Sequence, residues 1–255
     1  MILTFGAGDI IVVPTQDAFG SAIANPTPVR VGGGQEFTLD FAGEMKEYYG
    51  QGRYSLAIAQ GKVKTMGKIK GALLNGAMLN SVFFGFGLTT GTMKVVYGDT
   101  SGTPVPTTPF TITPTPPSAG TWVQDLGVQN ASGITMTRVA SAPITGQYSV
   151  AAGVYTFAAA DVGITMYISY DYTYTLATGK KISLQNLPMG YIPTFELHYS
   201  AQFLGKRTYV KLFNVTAPKL QMFATKNDDF SIPSIDYGAQ ADSTGFNIGE
   251  LYVSE

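Results

Sequence analysis

The chain has 255 residues, a formal net charge of −1, 13% charged and 45% hydrophobic residues, and no cysteine. This length buries a sizeable core in one large domain or two small ones. The balance excludes an intrinsically disordered chain and a bulk electrostatic pull on nucleic acid, and the absence of thiols excludes disulfides and thiolate metal centres.

The opening MILTFGAGDIIVVP has no cationic leader, the first basic residue being Arg30, so export by the general secretory route is not expected. The two glycosylation sequons, at Asn130 and Asn214, are then chance matches. VGGGQEF (31–37) is a glycine-rich turn that leads into a strand and lacks the Lys-Ser/Thr of a phosphate loop. QEFTLDF (35–41) alternates Phe37, Leu39 and Phe41 with Glu36, Thr38 and Asp40, the period of a strand. A turn at YYGQGR precedes a second strand, 53–70. Its even face carries Lys62, Lys64, Met66, Lys68 and Lys70, and its odd face Val63, Thr65, Gly67 and Ile69. A helix would scatter those lysines, whereas a strand aligns them. A wet face and a face against a negative partner both fit the stripe.

ALLNGAMLNSVFFG (72–85) places Leu74, Met78 and Val82 at helical spacing with Gly85 as a stop, which predicts one helix plugging an end or face of a sheet. Further strands are expected at 93–98, 164–176, 194–203, 206–214 and 219–224. The clearest is ITMYISYDYTYTL, with a packing face of Ile164, Met166, Ile168, Tyr170, Tyr172, Tyr174 and Leu176. Residues 99–120 hold six prolines, and 121–163 reads as short strands broken by turns. The expected organisation is a mainly β core of 1–98 and 164–255, interrupted by a Pro/Thr-rich linker and β-rich lobe or long hairpin at 99–163. No apolar run approaches the ~20 residues that span a bilayer, so membrane insertion is not expected.

Charge falls in blocks: net −4 over 1–50, +6 over 51–94, −3 over 95–179, +6 over 180–226 and −6 over 227–255. Such blocks pair inside one fold or meet between subunits, and both arrangements stay open. The catalytic inventory is nearly empty. His198 is the only histidine, no G-x-S-x-G elbow exists, and GFGLTTG (85–91) has the wrong spacing for a dinucleotide site. Asp228, Asp229 and Asp236 read as a solvated acidic loop. No enzyme activity, catalytic residue, metal or cofactor is expected. A glycan- or receptor-binding β-sandwich that uses Trp122 and Tyr148 as exposed rings is the alternative to a structural subunit.

The segments FGAGDIIVVP…NPTPVRVGGGQEFTLDF and YGQGRYSLAIAQGKVKTMGKIKGALLNGAMLNSVFFG resemble the N-terminal half of major tail tube proteins of tailed bacteriophages. LPMGYIPTFELHYSAQFLGKRTYVKLFNVTAPKL…KNDDFSIPSIDYGAQADSTG resembles their C-terminal part. The resemblance implies a β-sandwich with a flanking helix. It further implies subunits joined in rings, usually of six, whose inner sheets close into one barrel, and rings stacked into a hollow tube for genome ejection. It also implies tape-measure and tail-completion partners, DNA only in transit, and a virion tail put together in the host cytoplasm. A conduit should not grip phosphates. On that basis Lys62, Lys64, Lys68 and Lys70 are expected to face carboxylates of the same or a neighbouring subunit, or solvent outside, with Asp228, Asp229 and Asp236 as first partners. Glu36 and Asp40 are the expected lumen-facing residues.

Overall fold

Alternating apolar and polar residues over most of the chain become strands, nearly all of them antiparallel, and the fold is mainly β. The computed structural model describes residues 6, 8–71, 73, 75–223, 228 and 230–254. In chain order the elements begin with β1 (Asp9–Gln16), β2 (Val29–Arg30), β3 (Gly34–Tyr49) and β4 (Ser55–Gly71). Helix α1 (Gly76–Leu79) follows and runs into a π-helical turn over Asn80–Phe84. Next come β5 (Leu88–Gly98), β6 (Thr103–Pro104), β7 (Thr111–Ile112), β8 (Thr121–Asn130), β9 (Thr137–Arg138), β10 (Gln147–Ala151), β11 (Val154–Phe157) and β12 (Thr165–Ile182). The last four are β13 (Thr194–Phe203), β14 (Lys206–Gln221), β15 (Ser234–Gln240) and β16 (Gly249–Val253).

The chain divides into two compact units, Met1–Leu88 with Ile182–Glu255, and Thr89–Lys181. The expected boundaries at 98 and 164 move outward to 88 and 182. The physical reason is pairing: β5 and β12 bond to each other, and β12 also to β6 and β8, instead of joining the large sheet.

The first unit is one sheet in the order β2-β1-β13-β14-β15-β4-β3, with β16 also on β14. One face packs Ile10, Val12, Ile69, Phe195, Leu197 and Val215 against Met78, Leu79 and Val82 of the helical segment. The expected helix thus covers a sheet face, but it spans 76–84 instead of 72–85, and Leu74 lies outside the described residues. Asn75 opens it, its side chain accepting from the Ala77 N–H. Gly85 closes it in the left-handed region, where a Cβ would also sit 2.6 Å from the Ala18 nitrogen. The strands expected at 206–214 and 219–224 are one strand to Gln221. Pro218 falls within a register shift between Thr216 and Lys219, where its missing N–H breaks no ladder.

The second unit has two four-stranded sheets, β7-β11-β10-β9 and β5-β12-β6 with β8. Both feed one core, in which Met166, Ile168, Tyr170 and Tyr172 of β12 meet Tyr148, Tyr155 and Phe157. Of the expected packing face, Met166, Ile168, Tyr170 and Tyr172 are buried, Tyr174 and Leu176 are half-buried, and Ile164 is exposed. The unit is entered by β5 and left by β12, neighbouring strands so close that a Cβ on Gly179 would lie 2.7 Å from the Thr92 carbonyl oxygen.

One cross-strand contact fixes the edge of the large sheet. Tyr237 on β15 is opposite Gly67 on β4, and Gly67 is opposite Leu39 on β3. The Tyr237 side chain passes over Gly67, and its hydroxyl donates to the Thr38 carbonyl of β3 at 2.7 Å. A Cβ on Gly67 would lie 2.1 Å from that carbonyl oxygen and 2.4 Å from the hydroxyl. The backbone N–H of Lys68 meanwhile donates to the Thr38 hydroxyl.

Tyr237→Phe removes the donor from the half-buried Thr38 carbonyl and is expected to cost about 0.5–1.5 kcal/mol in urea unfolding. Gly67→Ala forces both the ring and the β3 backbone away and should cost at least as much. Burial pushes the Tyr237 hydroxyl above the ordinary tyrosine value. Below about pH 10 both folded and unfolded tyrosine are protonated and the stabilisation is complete. Above it the unfolded chain ionises first, so stability falls as pH rises. Urea midpoints measured from about pH 9 to about pH 11 should drop, and less steeply in Tyr237→Phe.

Candidate assembly surface

Registered partners in a sheet share a face. Lys70 lies between Ser234 and Glu36, Lys68 between Asp236 and Thr38, and Met66 between Gly238 and Asp40. The lysine stripe, Glu36, Asp40 and Asp236 therefore occupy one face, the one turned away from the core. Whatever environment meets Glu36 and Asp40 therefore also meets the lysine stripe.

On this face Lys70 pairs with Glu36. Asp236 receives two cations, Lys68 at 3.9 Å and Lys219 of β14 at 3.8 Å. These contacts close within one chain: Lys70 and Glu36 balance each other, while Lys68 and Lys219 share the one negative charge of Asp236. Lys64 lies opposite Ala42. Lys62 falls in the bulge where the register shifts between Gly43 and Met45. Neither has an ion-pair partner among the described residues. Asp228 is an exposed turn residue, and Asp229 lies outside the described residues.

The same face continues over β13 and β14. Glu196 receives Lys211 at 3.1 Å and His198 Nε2 at 3.4 Å, and His198 Nδ1 meets the Tyr209 hydroxyl at 2.8 Å. The lone histidine is thus bound into a sheet-surface network. Among the described residues no group of three or more His, Asp or Glu side chains is placed to hold a metal ion. In the second unit Tyr148 is 3% exposed and donates to Asp125 at 2.8 Å, and burial raises its hydroxyl. Trp122 is half-buried, its indole N–H directed to the Tyr155 hydroxyl at 3.3 Å. These two rings serve the core of that unit instead of presenting a platform to solvent.

The sequence reading missed the longest feature. β15 registers with β4 only over Thr65–Lys70, and β3 is the last strand of the sheet. From Ala42 to Lys64 the two strands pair only with each other in the sheet and form a ribbon, with about ten residues of β4, or about 33 Å, beyond its last β15 contact. Apolar side chains on this arm stand in water: Met45, Tyr48, Ile58, Leu56 at 71% exposure and Tyr54 at 87%. The usable signal was length, since strands of 16 and 17 residues far exceed the usual five or six.

At the root of the arm the core is open. Leu39 and Phe41 of β3, Val210 and Leu212 of β14, Leu251 of β16 and Phe246 line a groove of about 280 Å³. Phe246 is 89% exposed. Among the described strands β16 pairs only with β14, which leaves its outer edge open. No protein-family model matches this chain, and no curated protein matches it.

The lysine pairs are over one-third exposed, so Lys68→Ala and Lys70→Ala are each expected to cost under about 1 kcal/mol. Lys62→Ala and Lys64→Ala should stay within about 0.5 kcal/mol of the parent. Asp236→Asn strands two cations at once and should give the largest salt dependence of unfolding in this set, read from urea midpoints at low and high ionic strength.

Proposed function

We propose that this chain is a virion structural subunit that assembles into stacked rings, six subunits to a ring, forming the hollow tail tube of a bacteriophage. The observation that carries the reading is the arm. A two-stranded ribbon is at best marginally stable alone in water, and this one exposes large apolar side chains along its length. It calls for a partner surface. In the proposed assembly that surface belongs to other copies, and the inner sheets join across subunits so that the long edge of β3 is not left open to aggregation.

The polar face of the large sheet suits a conduit. Lysines that already hold carboxylates displace fewer counterions from a passing polyanion, so DNA gains little affinity for the wall. The order of the resembling segments along the chain supports the same reading. The expected partners are further copies, a tape-measure protein and tail-completion proteins, and the expected location is the virion tail after assembly in the host cytoplasm. No helix among the described residues is long and apolar enough to cross a membrane.

Electron microscopy of the purified protein over a concentration series tests the proposal. Rings or tubes are the expected result; uniform monomers at every concentration would overturn it. Replacing residues 44–60 by a tight turn should leave the circular-dichroism signature of a β protein while abolishing assembly, because that excision removes the unsupported ribbon and spares the core.

A further inference from the structure

We infer that the groove between β3 and β16 is the seat for the arm tip of a second copy, with residues 55–59 of the incoming β4 laid along the open edge of β16. The inference rests on the assembly reading and names the surface that meets the arm. The two surfaces match in three respects. First, both are apolar: Tyr54, Leu56 and Ile58 on the arm, and Leu39, Phe41, Phe246 and Leu251 at the groove. Second, both present unpaired backbone. The outer edge of β4 over 55–64 is not registered with β15, and the outer edge of β16 has no described strand beside it. An extended segment added there gains main-chain hydrogen bonds, and its alternate side chains enter the groove. Third, the charges are complementary. Arg53 at the tip has no ion-pair partner among the described residues. Asp40, between Leu39 and Phe41, and Glu250, between Gly249 and Leu251, have none either.

The occupant must come from another copy. Leu39 and Phe41 are both the groove wall and the root of the arm, so a chain's own tip lies about 30 Å from its own groove along the ribbon. Each copy therefore offers one arm and one seat. Contact between unlike patches is heterologous and closes into rings or runs on as a filament.

The chain has no cysteine, which gives a clean cross-linking test. Tyr54→Cys and Phe246→Cys are made in separate proteins, both at side chains nearly free of solvent shielding, so that neither change disturbs the core. The two proteins are mixed under mild oxidation, with Met189→Cys, a fully exposed position, replacing Phe246→Cys in the control. Seating brings the thiols to roughly millimolar effective concentration, so the mixed disulfide should form about a hundredfold faster than the control at micromolar protein. Arg53→Glu should slow it, and Glu250→Lys in the receiving copy should restore it.

Rings or tubes without this cross-link would overturn the seat and leave the tube reading standing. Cross-linked pairs without rings would support the seat and count against the tube. Monomers without cross-links at any concentration would overturn both. Binding of a small apolar dye in the groove with no cross-link would make it a ligand pocket and likewise overturn the seat.

Discussion

The hydrogen bond from Tyr237 across Gly67 to Thr38 governs where the molecule can reach. It joins three adjacent strands two residues short of the point where the sheet stops supporting the hairpin. Below it, β3 and β4 are held by β15 and by the core. Two residues further on, beyond Thr65, they have only each other. A ribbon leaving a loose root would sample many directions and lose most of its binding energy to ordering. A root fixed by a buried hydroxyl and a glycine notch gives the arm one preferred heading. Gly67 is therefore a mechanical requirement as much as a conformational one.

Electrostatics on the opposite face follows from the same register. Lys68 and Lys70, where β4 lies between β3 and β15, have cross-strand neighbours on both sides, whereas Lys64 has one on β3 only, and the identity of those neighbours decides their fate. Lys68 and Lys70 meet carboxylates in the body of the sheet. Lys64 meets alanine, and Lys62 sits in a bulge, where the ribbon begins. Charge is balanced where the sheet is fixed and left over where it is free to engage something else. Of the charge blocks read along the chain, the pairing within one fold is seen at the root, in Lys68 with Asp236 and Lys70 with Glu36.

Several features were legible because one local rule sufficed. The buried even face of β12 follows from its alternation, since Met166, Ile168, Tyr170 and Tyr172 have a core to meet. The stop at Gly85 follows from a left-handed residue that only glycine occupies without strain. Other features depended on information that local patterns do not hold. The alternation of Leu56 and Ile58 is that of a strand with a core, and nothing in it says that the core is missing. Pro218 reads as a break because its neighbours across the sheet are unknown; a register shift makes it harmless. That Glu36 is the carboxylate beside Lys70 depends on strand pairing, which the sequence does not state. The boundaries of the insertion moved because β5 and β12 are indistinguishable, in sequence, from strands of the larger sheet. The groove was invisible, being made by residues from β3, β14 and β16 that are far apart along the chain.

The second unit is entered and left through adjacent strands, β5 and β12. A guest with a single doorway makes few demands on its host: its two attachment points stay a strand spacing apart however large it grows. Lineages carrying this protein can therefore swap, enlarge or discard that module by exchanging one contiguous stretch of gene, while the sheet, the arm and the seat keep their shape.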